Sequence, residues 1–395
     1  MRCLEPSGAG DRTCLAGSAP MTMPACIGPV SLSVAEAAAR ALAQPVTGVE
    51  RVPLAAAKGR VLAEPLLSPL DLPRFDLAAM DGYALAGDAA AGAIVENALP
   101  IRTGAPLPPG TDRVVMLEDV EHRTPGIRCR RPPAMWENVR RAGSELSLGD
   151  AVLSAGIRIT PAAALAAAMV GADTLSLRRR VRVGFFCTGN EIAPPGASLA
   201  PGQVWNANRP FLLSTLARTE VDLQDAGDLP DDPAAITAAL TDLAGCDLIV
   251  TTGGSSVGEA DYMAEAFRRA GGRFAVRGVA LKPGKPVMIG QIGAALWLGL
   301  PGTPVAAFTC WHLFGEPLLR TLASLPMVER RTETAAFAAF PRCGRSEVVL
   351  VRLMQGVAQA LPLLPTATAI ADGLAILPDT GSELHPGDAV TVLPV

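Results

Sequence analysis

The sequence has few of the residues that build common catalytic and metal sites. It contains three histidines and two tyrosines, and its eight cysteines form no CxxC pair. A zinc site or a Cys–His nucleophile is therefore disfavoured, since both need several such side chains at suitable spacing. Scattered thiols are typical of a reducing compartment, so we expect a cytoplasmic protein.

Long apolar runs and a strong charge imbalance are also lacking. The stretch PAAALAAAMVGA at 161–172 is too short to cross a membrane, and it predicts a packed helix. The formal net charge is -4, and the basic run RRRVR at 178–182 predicts a solvated face or an interdomain strand. We therefore expect neither a membrane partner nor a nucleic-acid partner.

Glycine and proline are abundant instead, with 39 and 35 residues in a chain of 395. This length exceeds one ordinary hydrophobic core, so about two to four domains are expected. Residues 1–30 lack the basic start and apolar core of a signal peptide. The predicted division is a flexible N-terminal extension at 1–30, a discontinuous helical domain at 31–71 and 146–178, an inserted small β domain at 72–145, an α/β domain at 179–326 and a C-terminal β-barrel at 327–395.

Strand and helix patterns alternate from 181 to about 325. VRVGFFCTG and CDLIV predict buried strands, and DDPAAITAALTDLAG predicts a helix with Asp232 as N-cap and Pro233 in the first turn. Near the N-terminus, Ser33 and Glu36 stand at capping-box spacing in front of another helix. The alternation predicts a doubly wound, mainly parallel sheet that binds ligands beyond the carboxyl ends of its strands.

The segment VTTGGSSVGEAD at 250–261 combines a strand end, a glycine loop and a helix start. Loops of this kind present backbone N–H groups to an anion, usually a phosphate. Glu259 and Asp261 follow the loop at once, although carboxylates repel phosphates. Either they complement the helix dipole, or a cation lies between them and the anion.

Further polar residues follow other strand ends of the α/β domain. Glu191 and Asp231 are two of them, and the LKPGKP turn at 281–286 adds two lysines. Carboxylates from successive strand ends can share Mg²⁺, while lysines and loop N–H groups hold phosphates. Each residue also has a structural interpretation as a helix-end charge or a solvated side chain. Their combination favours ligand binding.

Three polar clusters in the predicted β domain are ambiguous when taken alone. They are RFDLAAMDGYA at 74–84, RTGAPLPPG at 102–110 and NVRRAGSE at 138–145. An Asp-Gly pair and a proline-glycine turn need no ligand, and adjacent arginines often form surface salt bridges. The same arginines also have the geometry to bind an oxyanion.

The order of these motifs resembles that of the molybdopterin molybdenumtransferase family, which includes bacterial molybdenum insertases and the E domain of gephyrin. The resemblance covers roughly residues 31–315, and the C-terminal segment fits by length and position. Joint order makes it more specific than any single glycine motif. The matching stretches are FDLAAMDGYA, RTGAPLPPGTDRVVMLED, ENVRRAGSEL, TGNEI, PGQVWNANRP, TTGGSSVGEADY, LKPGKP and GLPGTPVAAF.

The resemblance implies four domains, with a central molybdopterin-binding α/β domain, and an elongated homodimer whose active site lies between chains. It implies transfer of molybdate to the dithiolene of adenylylated molybdopterin, with Mg²⁺-dependent release of AMP. Contacts with molybdopterin adenylyltransferase and with acceptor molybdoenzymes follow from the same role.

Site residues are carried over by motif position. The implied catalytic residues are Asp81, Thr103, Arg140, Glu191, Asp231, Asp261 and Lys282. The implied Mg²⁺ ligands among them are Asp231, Asp261 and Glu191. The implied pterin-binding residues are Thr188, Gly189, Thr251, Thr252, Gly253, Gly254, Ser255, Ser256, Gly258, Lys285 and Pro301.

The sequence departs from the family pattern in several motifs. The departures are Leu77, Ala78, Glu145, Asn190, Gly278 and Thr303. They leave open a second interpretation, a non-catalytic molybdopterin-binding or docking paralogue of the same fold. A third interpretation, an enzyme that adenylylates the pterin, is disfavoured because such an enzyme needs neither the inserted domain nor the barrel.

Overall fold

The computed structural model describes residues 29–88, 90, 92–254 and 262–395. The predicted N-terminal extension therefore lies outside the described residues up to position 28. Within the described ranges, no helix is long and apolar enough to cross a membrane.

Helices begin where the sequence supplies a cap or a proline. Asp232 accepts hydrogen bonds from the N–H groups of Ala234 and Ala235, both at 3.2 Å, and caps its helix as predicted. The predicted cap at Ser33 is wrong, because Ser31 occupies the N-cap position of the first helix. The helices are Leu32–Leu42, Pro161–Met169, Asn208–Leu216, Pro233–Asp242, Tyr262–Arg269, Pro304–Cys310, Glu316–Leu322 and Pro365–Thr368.

A six-stranded sheet forms the centre of the α/β domain. Its spatial order is Val221–Leu229, Val181–Thr188, Leu248–Thr252, Ala295–Leu300, Met288–Ile292 and Arg273–Arg277. The first four strands are parallel and the last two pair antiparallel. The prediction of a mainly parallel, doubly wound sheet is therefore confirmed, with an antiparallel edge.

Side chains from this sheet enter two cores, one on each face. Phe185 and Val250 pack in one cluster, whereas Phe186, Ile249 and Trp297 pack in the other. This alternation follows from the two-residue period of a strand. It explains why the central strands Leu248–Thr252 and Ala295–Leu300 are buried along their whole length, since both faces of the sheet are covered there.

The predicted long helix near residue 304 contains a wide turn. Trp311–Gly315 is π-helical and joins the helices that precede and follow it. A Cβ atom on Gly315 would lie 2.3 Å from the Trp311 ring, so glycine permits the buried indole to pack there.

The N-terminal helical segment packs in two places. Leu32, Ala35 and Ala39 of the first helix share a core cluster with Phe314 and Leu318 of the α/β domain. The rest of the segment has its own core, to which the helix Pro161–Met169 contributes. It also contains the antiparallel strand pair Val49–Pro53 and Thr174–Arg178. The proposed domain division remains a prediction.

The inserted segment is built from small sheets, as predicted. The chain enters and leaves it side by side, since Leu72 and Leu146 form an antiparallel bridge. Its three-stranded sheets contain Gly82–Leu85, Leu99–Ile101 and Arg113–Met116, and Ile94–Val95, Val120–His122 and Ile127–Cys129. Shorter paired strands in the chain are Leu66–Leu67, Leu77–Ala78, Val139–Arg140, Ala151–Leu153, Ile192–Ala193 and Val204–Trp205.

The C-terminal segment closes into a five-stranded barrel, which confirms the predicted fold. Ser346–Met354 closes it by pairing with both Val357–Ala360 and Gly373–Leu377. The other two strands are Arg331–Ala335 and Ala389–Pro394. Leu281–Lys282 of the α/β domain adds to the barrel beside Ser346 and Glu347.

A buried ion-pair network joins two parts of the α/β domain. Glu316 is 7% exposed and accepts hydrogen bonds from Arg218 at 2.6 and 3.0 Å and from Arg320 at 2.7 Å. Burial alone would raise the pKa of Glu316, but hydrogen bonds from both arginines outweigh it and lower this pKa below its ordinary value of 4.5.

The substitution Glu316→Gln should lower the free energy of unfolding at pH 7 by about 2–4 kcal/mol, because it leaves two arginines without their charge partner. A lowered pKa means that the carboxylate stabilises the fold above pH 4.5 and loses this effect as pH falls through the folded-state pKa. Urea unfolding between neutral and acidic pH should therefore show the gap to wild type closing in acid. The exposed Glu329→Gln is the matched control, and equal losses in both variants would contradict the prediction.

Candidate active site

The ends of the four parallel strands meet at one edge of the sheet. Thr188 lies beside Leu229, Cys187 beside Thr252, and Thr252 beside Leu300. The residues that follow each strand therefore project from the same edge. These are the Gly189–Glu191 turn, Asp231, the Gly253–Gly254 loop and the Pro301–Thr303 turn, so most of the predicted α/β site residues come together as expected.

Glycine is required at Gly253, where two of these loops approach one another. Gly253 has φ +96°, and a Cβ atom there would lie 2.0 Å from the carbonyl oxygen of Thr188. A Cβ atom on Gly302 would lie 3.7 Å from the Gly253 Cα atom. Two strand-end loops thus pack backbone against backbone, an arrangement that brings N–H groups close to a ligand.

Asn208 connects these two loops through hydrogen bonds of its side chain. The sequence analysis did not single it out. Its buried side-chain amide donates to Thr252 Oγ1 and to the Gly302 carbonyl oxygen, both at 2.7 Å. Thr252 in turn donates to the Pro301 carbonyl at 3.1 Å, while Thr251 Oγ1 accepts from the Trp297 indole at 3.2 Å. Both threonine hydroxyls are therefore engaged inside the protein. The signal in the sequence was a polar residue within PGQVWNANRP, at the start of the helix Asn208–Leu216.

Three buried oxygen atoms at this edge have no hydrogen-bond partner among the described residues. They are Thr188 Oγ1, Asn208 Oδ1 and Asp231 Oδ1. Thr188 Oγ1 faces the glycine loop, since it lies 3.0 Å from the Cβ position of Gly254. An unsatisfied buried polar atom costs about 1–3 kcal/mol, so such atoms point to partners from a ligand, an ion or water.

Two carboxylates, those of Glu191 and Asp231, lie at the turn that follows the strand Val181–Thr188. The Asn190 N–H donates to Asp231 Oδ2 at 3.3 Å, and the Asp231 N–H donates to Asn190 Oδ1 at 3.2 Å. Glu191 reaches back over Gly189, whose Cβ position is 2.9 Å from Glu191 Oε2. Asn190 thus keeps a hydrogen bond that an aspartate could make, but with one negative charge fewer.

The third predicted metal ligand cannot be placed beside them. Asp261 lies outside the described residues, together with the predicted pterin-binding residues Ser255, Ser256 and Gly258. Among the residues that are described, no group of three His, Cys, Asp or Glu side chains is arranged to hold a metal ion. The metal set therefore stays a prediction.

A cationic cleft of about 560 Å³ adjoins the Pro301–Thr303 turn. Lys282 and Lys285 line it as part of the lysine turn, and Arg345 lines it from the barrel. Glu347 pairs with Arg345 at 2.7 Å and with Lys282 at 3.7 Å. Sequence reasoning missed Arg345, because only the pairing of Leu281–Lys282 with the barrel brings it here.

Two of the residues that depart from the family pattern, Gly278 and Thr303, lie near this cleft, and their structural settings differ. Gly278 has φ +90°, where a side chain would be strained, and its Cβ position is 3.3 Å from the Lys285 carbonyl oxygen. The neighbouring Arg277 guanidinium lies over the Phe274 ring at 5.9 Å. Thr303 lines the cleft at the N-cap of Pro304–Cys310 without a side-chain capping bond.

The predicted residues of the inserted domain form a separate group. Asp81 Oδ1 accepts from the Thr103 N–H at 2.7 Å and from the Thr103 hydroxyl at 2.9 Å, and these bonds hold the pKa of Asp81 below its ordinary value. Arg140 forms an ion pair with Glu145. Between described residues, no hydrogen bond or ion pair joins 72–145 to 179–326. Among the described residues of one chain, the two halves of the predicted site thus have no polar link.

The cysteine at this edge of the sheet, Cys187, is not suited to act as a nucleophile. Burial raises the pKa of Cys187 to about 12, so its thiol is neutral at physiological pH. Cys187 is the cysteine directly before Thr188, and it is 1% exposed. A thiolate nucleophile at this position is therefore excluded.

The cost in stability of a side chain at Gly253 can be compared with the cost at Gly293, a glycine with no atoms near its Cβ position. Gly293→Ala should cost about 1 kcal/mol, because Gly293 has φ +58° but no atom within 4 Å of its Cβ position. Gly253→Ala should cost at least about 2 kcal/mol more, since its Cβ meets the Thr188 carbonyl. Chemical unfolding of both variants tests this, and equal losses would show that the loop moves aside freely.

Comparisons with known proteins agree with this arrangement. The family model described as MoeA N-terminal region (domain I and II) matches residues 32–171, and the model described as probable molybdopterin binding domain matches 184–321. Two solved structures of a molybdopterin biosynthesis MoeA protein from Pyrococcus horikoshii superpose with TM-scores of 0.80 and 0.77 at 28% and 22% identity. Each alignment covers 93% of this chain, with 99% and 100% of the respective neighbour.

Sequence relatives identify the family. The molybdopterin molybdenumtransferase of Haemophilus influenzae is 34% identical over 297 residues, which is 70% of this chain and 73% of the relative. That of Synechococcus elongatus is 33% identical over 308 residues, covering 70% and 76%. The predicted family is confirmed: the chain belongs to the molybdopterin molybdenumtransferases.

Proposed function

We propose that this protein transfers molybdate to the dithiolene of adenylylated molybdopterin and releases AMP in a Mg²⁺-dependent reaction. The observation that carries the proposal is the set of buried oxygens of Thr188, Asn208 and Asp231 beside the glycine loop, which have no hydrogen-bond partner among the described residues. Family membership supports the reaction class. The cationic cleft next to the loop supports an anionic second substrate.

In this proposal, the glycine loop binds the phosphates of the pterin substrate. The backbone N–H groups around Gly253 and Gly254 and the Thr188 hydroxyl supply neutral hydrogen bonds. Such donors hold a phosphate without a fixed positive charge, so charge compensation is left to neighbouring groups. Asn208 keeps the two loops at the spacing this binding needs, through its bonds to Thr252 and Gly302.

The carboxylates beside the loop fit a Mg²⁺ ion bound together with substrate. Asp231 Oδ1 is buried and unpartnered, and Glu191 lies against the same turn. Mg²⁺ is usually held by one or two carboxylates plus substrate phosphates and water, so a complete protein cage is not needed. Asp231, Glu191 and Asp261 are the proposed ligands. The bound ion would polarise the phosphoanhydride that is cleaved to release AMP.

The cleft lined by Lys282, Lys285 and Arg345 is the proposed molybdate site. Two of these three cationic side chains, Lys282 and Arg345, share the carboxylate of Glu347, which leaves an excess of positive charge suited to a dianion. Arg345 presents a planar fork of donors that matches oxyanion geometry. The cleft shares the Pro301–Thr303 turn with the glycine loop, so molybdate would lie next to the pterin.

Residues of the inserted domain are proposed to act across a homodimer. Asp81, Thr103 and Arg140 have no polar link to the described residues of the α/β domain in their own chain, and the partner's inserted domain would supply them to this site. The two hydrogen bonds from Thr103 lower the pKa of Asp81 and so favour its ionised form further. Arg140 would leave Glu145 to neutralise the departing adenylate or molybdate.

The wider setting follows from the same chemistry. Adenylylated molybdopterin must come from a molybdopterin adenylyltransferase, and the finished cofactor must pass to acceptor molybdoenzymes. Contact with both is therefore part of the proposal. We also propose a cytoplasmic location, which the free thiols of the described cysteines support.

A non-catalytic molybdopterin-binding paralogue is the second candidate. Two observations favour it: Asn190 removes a negative charge beside Asp231, and Glu145 already neutralises Arg140. This paralogue would keep the glycine loop and bind the pterin, but it would not cleave the phosphoanhydride.

AMP release from adenylylated molybdopterin distinguishes the candidates. Wild type should release AMP only with both molybdate and Mg²⁺, and Asp231→Asn should slow release at least about 100-fold through loss of electrostatic stabilisation. Asp242→Asn, at the far end of the helix that follows Asp231, should keep the wild-type rate. Tight pterin binding without release would establish the paralogue. Consumption of ATP would establish the adenylylating enzyme.

Complementation tests the shared site. Arg140→Ala and Asp231→Asn should each be inactive, yet mixed and reassociated subunits should regain about a quarter of wild-type activity, because half the dimers are heterodimers with one intact site each. Arg140→Ala mixed with itself is the control. Absence of recovery in proven heterodimers would place both residues in a site within one chain.

A further inference from the structure

The arginine run at 178–182 has no place in the proposed reaction. It lies where the chain passes from the strand Thr174–Arg178 to the strand Val181–Thr188. There it borders a cavity of about 350 Å³. The cavity is lined by Glu50, Arg60, Arg179, Arg180, Arg182 and Asp222.

Arg60 is the most deeply buried arginine in the lining of this cavity. It is 5% exposed, and its hydrogen bonds to Glu50 Oε2 at 2.7 Å and to the Arg178 carbonyl at 2.8 Å both start from Nη2. Its Nε atom is buried and has no acceptor among the described residues. A buried guanidinium N–H without an acceptor is costly, so a missing anionic acceptor is a physical explanation.

The other arginines differ in how far protein carboxylates neutralise them. Arg179 is engaged by Asp247 through two bonds of 2.7 and 2.8 Å, whereas Arg182 reaches Asp247 only at 3.8 Å. Arg180 is exposed, and its side chain has no ion-pair partner within the described ranges. Four guanidinium groups thus line the cavity, and three carboxylates oppose them, those of Glu50 and Asp222 in the lining and that of Asp247 behind Arg179.

We propose that this cavity binds a tetrahedral oxyanion such as inorganic phosphate, sulfate or molybdate. Arg60 would present its guanidinium at the buried end of the cavity, and Arg180 and Arg182 would approach from the exposed side. Planar guanidinium groups suit this geometry because they present paired donors to oxyanions. The bound anion would join Arg60 of the N-terminal segment to the start of the α/β sheet, and would stabilise the position of one relative to the other.

This site is distinct from the proposed active site. The arginine run precedes the strand that starts at Val181, whereas the glycine-loop edge follows its end at Thr188. The seven residue steps from Val181 to Thr188 place the two ends of the strand about 23 Å apart. Anion binding here therefore does not depend on the proposed reaction.

Calorimetric titration with inorganic phosphate at constant ionic strength tests the proposal. The background variant Lys282→Gln/Lys285→Gln removes the contribution of the cationic cleft. In this background we expect one phosphate per chain and a higher thermal midpoint with phosphate than with chloride. Sulfate and molybdate should compete, and planar nitrate should not. No phosphate binding in this background would overturn the proposal.

A matched pair of charge reversals locates the site. Added to the background, Arg180→Glu should weaken phosphate binding at least about tenfold, since it places a carboxylate at the rim. Arg352→Glu makes the same charge change at an exposed position of the barrel and should leave the affinity unchanged. Arg60→Lys, which keeps the charge but removes the Nε donor, should also weaken binding. Equal affinities in the Arg180 and Arg352 variants would overturn the proposal, because binding would then reflect net charge alone.

Discussion

The side-chain amide of Asn208 controls the geometry on which the rest of the site depends. Its two donated bonds hold the end of one strand and the turn after the next, so that Gly253 and Gly302 can pack closely. The same contact connects the glycine loop to the turn that lines the cationic cleft. Because the amide is buried, water does not compete for its hydrogen bonds, and its own oxygen has no partner among the described residues.

The arrangement of charge explains how carboxylates can stand beside a phosphate-binding loop. Glu191 and Asp231 lie on one side of the loop, and Lys282, Lys285 and Arg345 line the cleft on the other. In the proposed function, the acids hold a cation that faces the phosphates, while the cationic cleft receives the second anion. Asn190 fits this arrangement, because it positions Asp231 without adding a further negative charge.

Much of the fold could be predicted because its signals are local. Alternating strands and helices fix a parallel sheet, and a parallel sheet brings the residues after its strands to one edge, which placed Thr188, Asp231 and Gly253 together. Arg345 and Asn208 could not be found in this way. Arg345 reaches the cleft only because a two-residue strand of the α/β domain pairs with the barrel, and local patterns do not encode such long-range pairing. The cap at Ser31 was missed because two serines stand close together, and side-chain geometry selects one.

The charged residues of the inserted domain that were predicted for the site lack partners in the α/β domain among the described residues. Asp81 is ionised and Arg140 is half-exposed, yet the described residues offer them no ionic partner in the α/β domain. Holding a charged pair such as Arg140 and Glu145 at the surface gains little stability, since exposed ion pairs contribute about 0–1 kcal/mol. A surface pair that costs little to open is suited to exchange its carboxylate for a substrate oxyanion. On the proposed function, the weak pairing of Arg140 is therefore a requirement of a site that assembles between two chains.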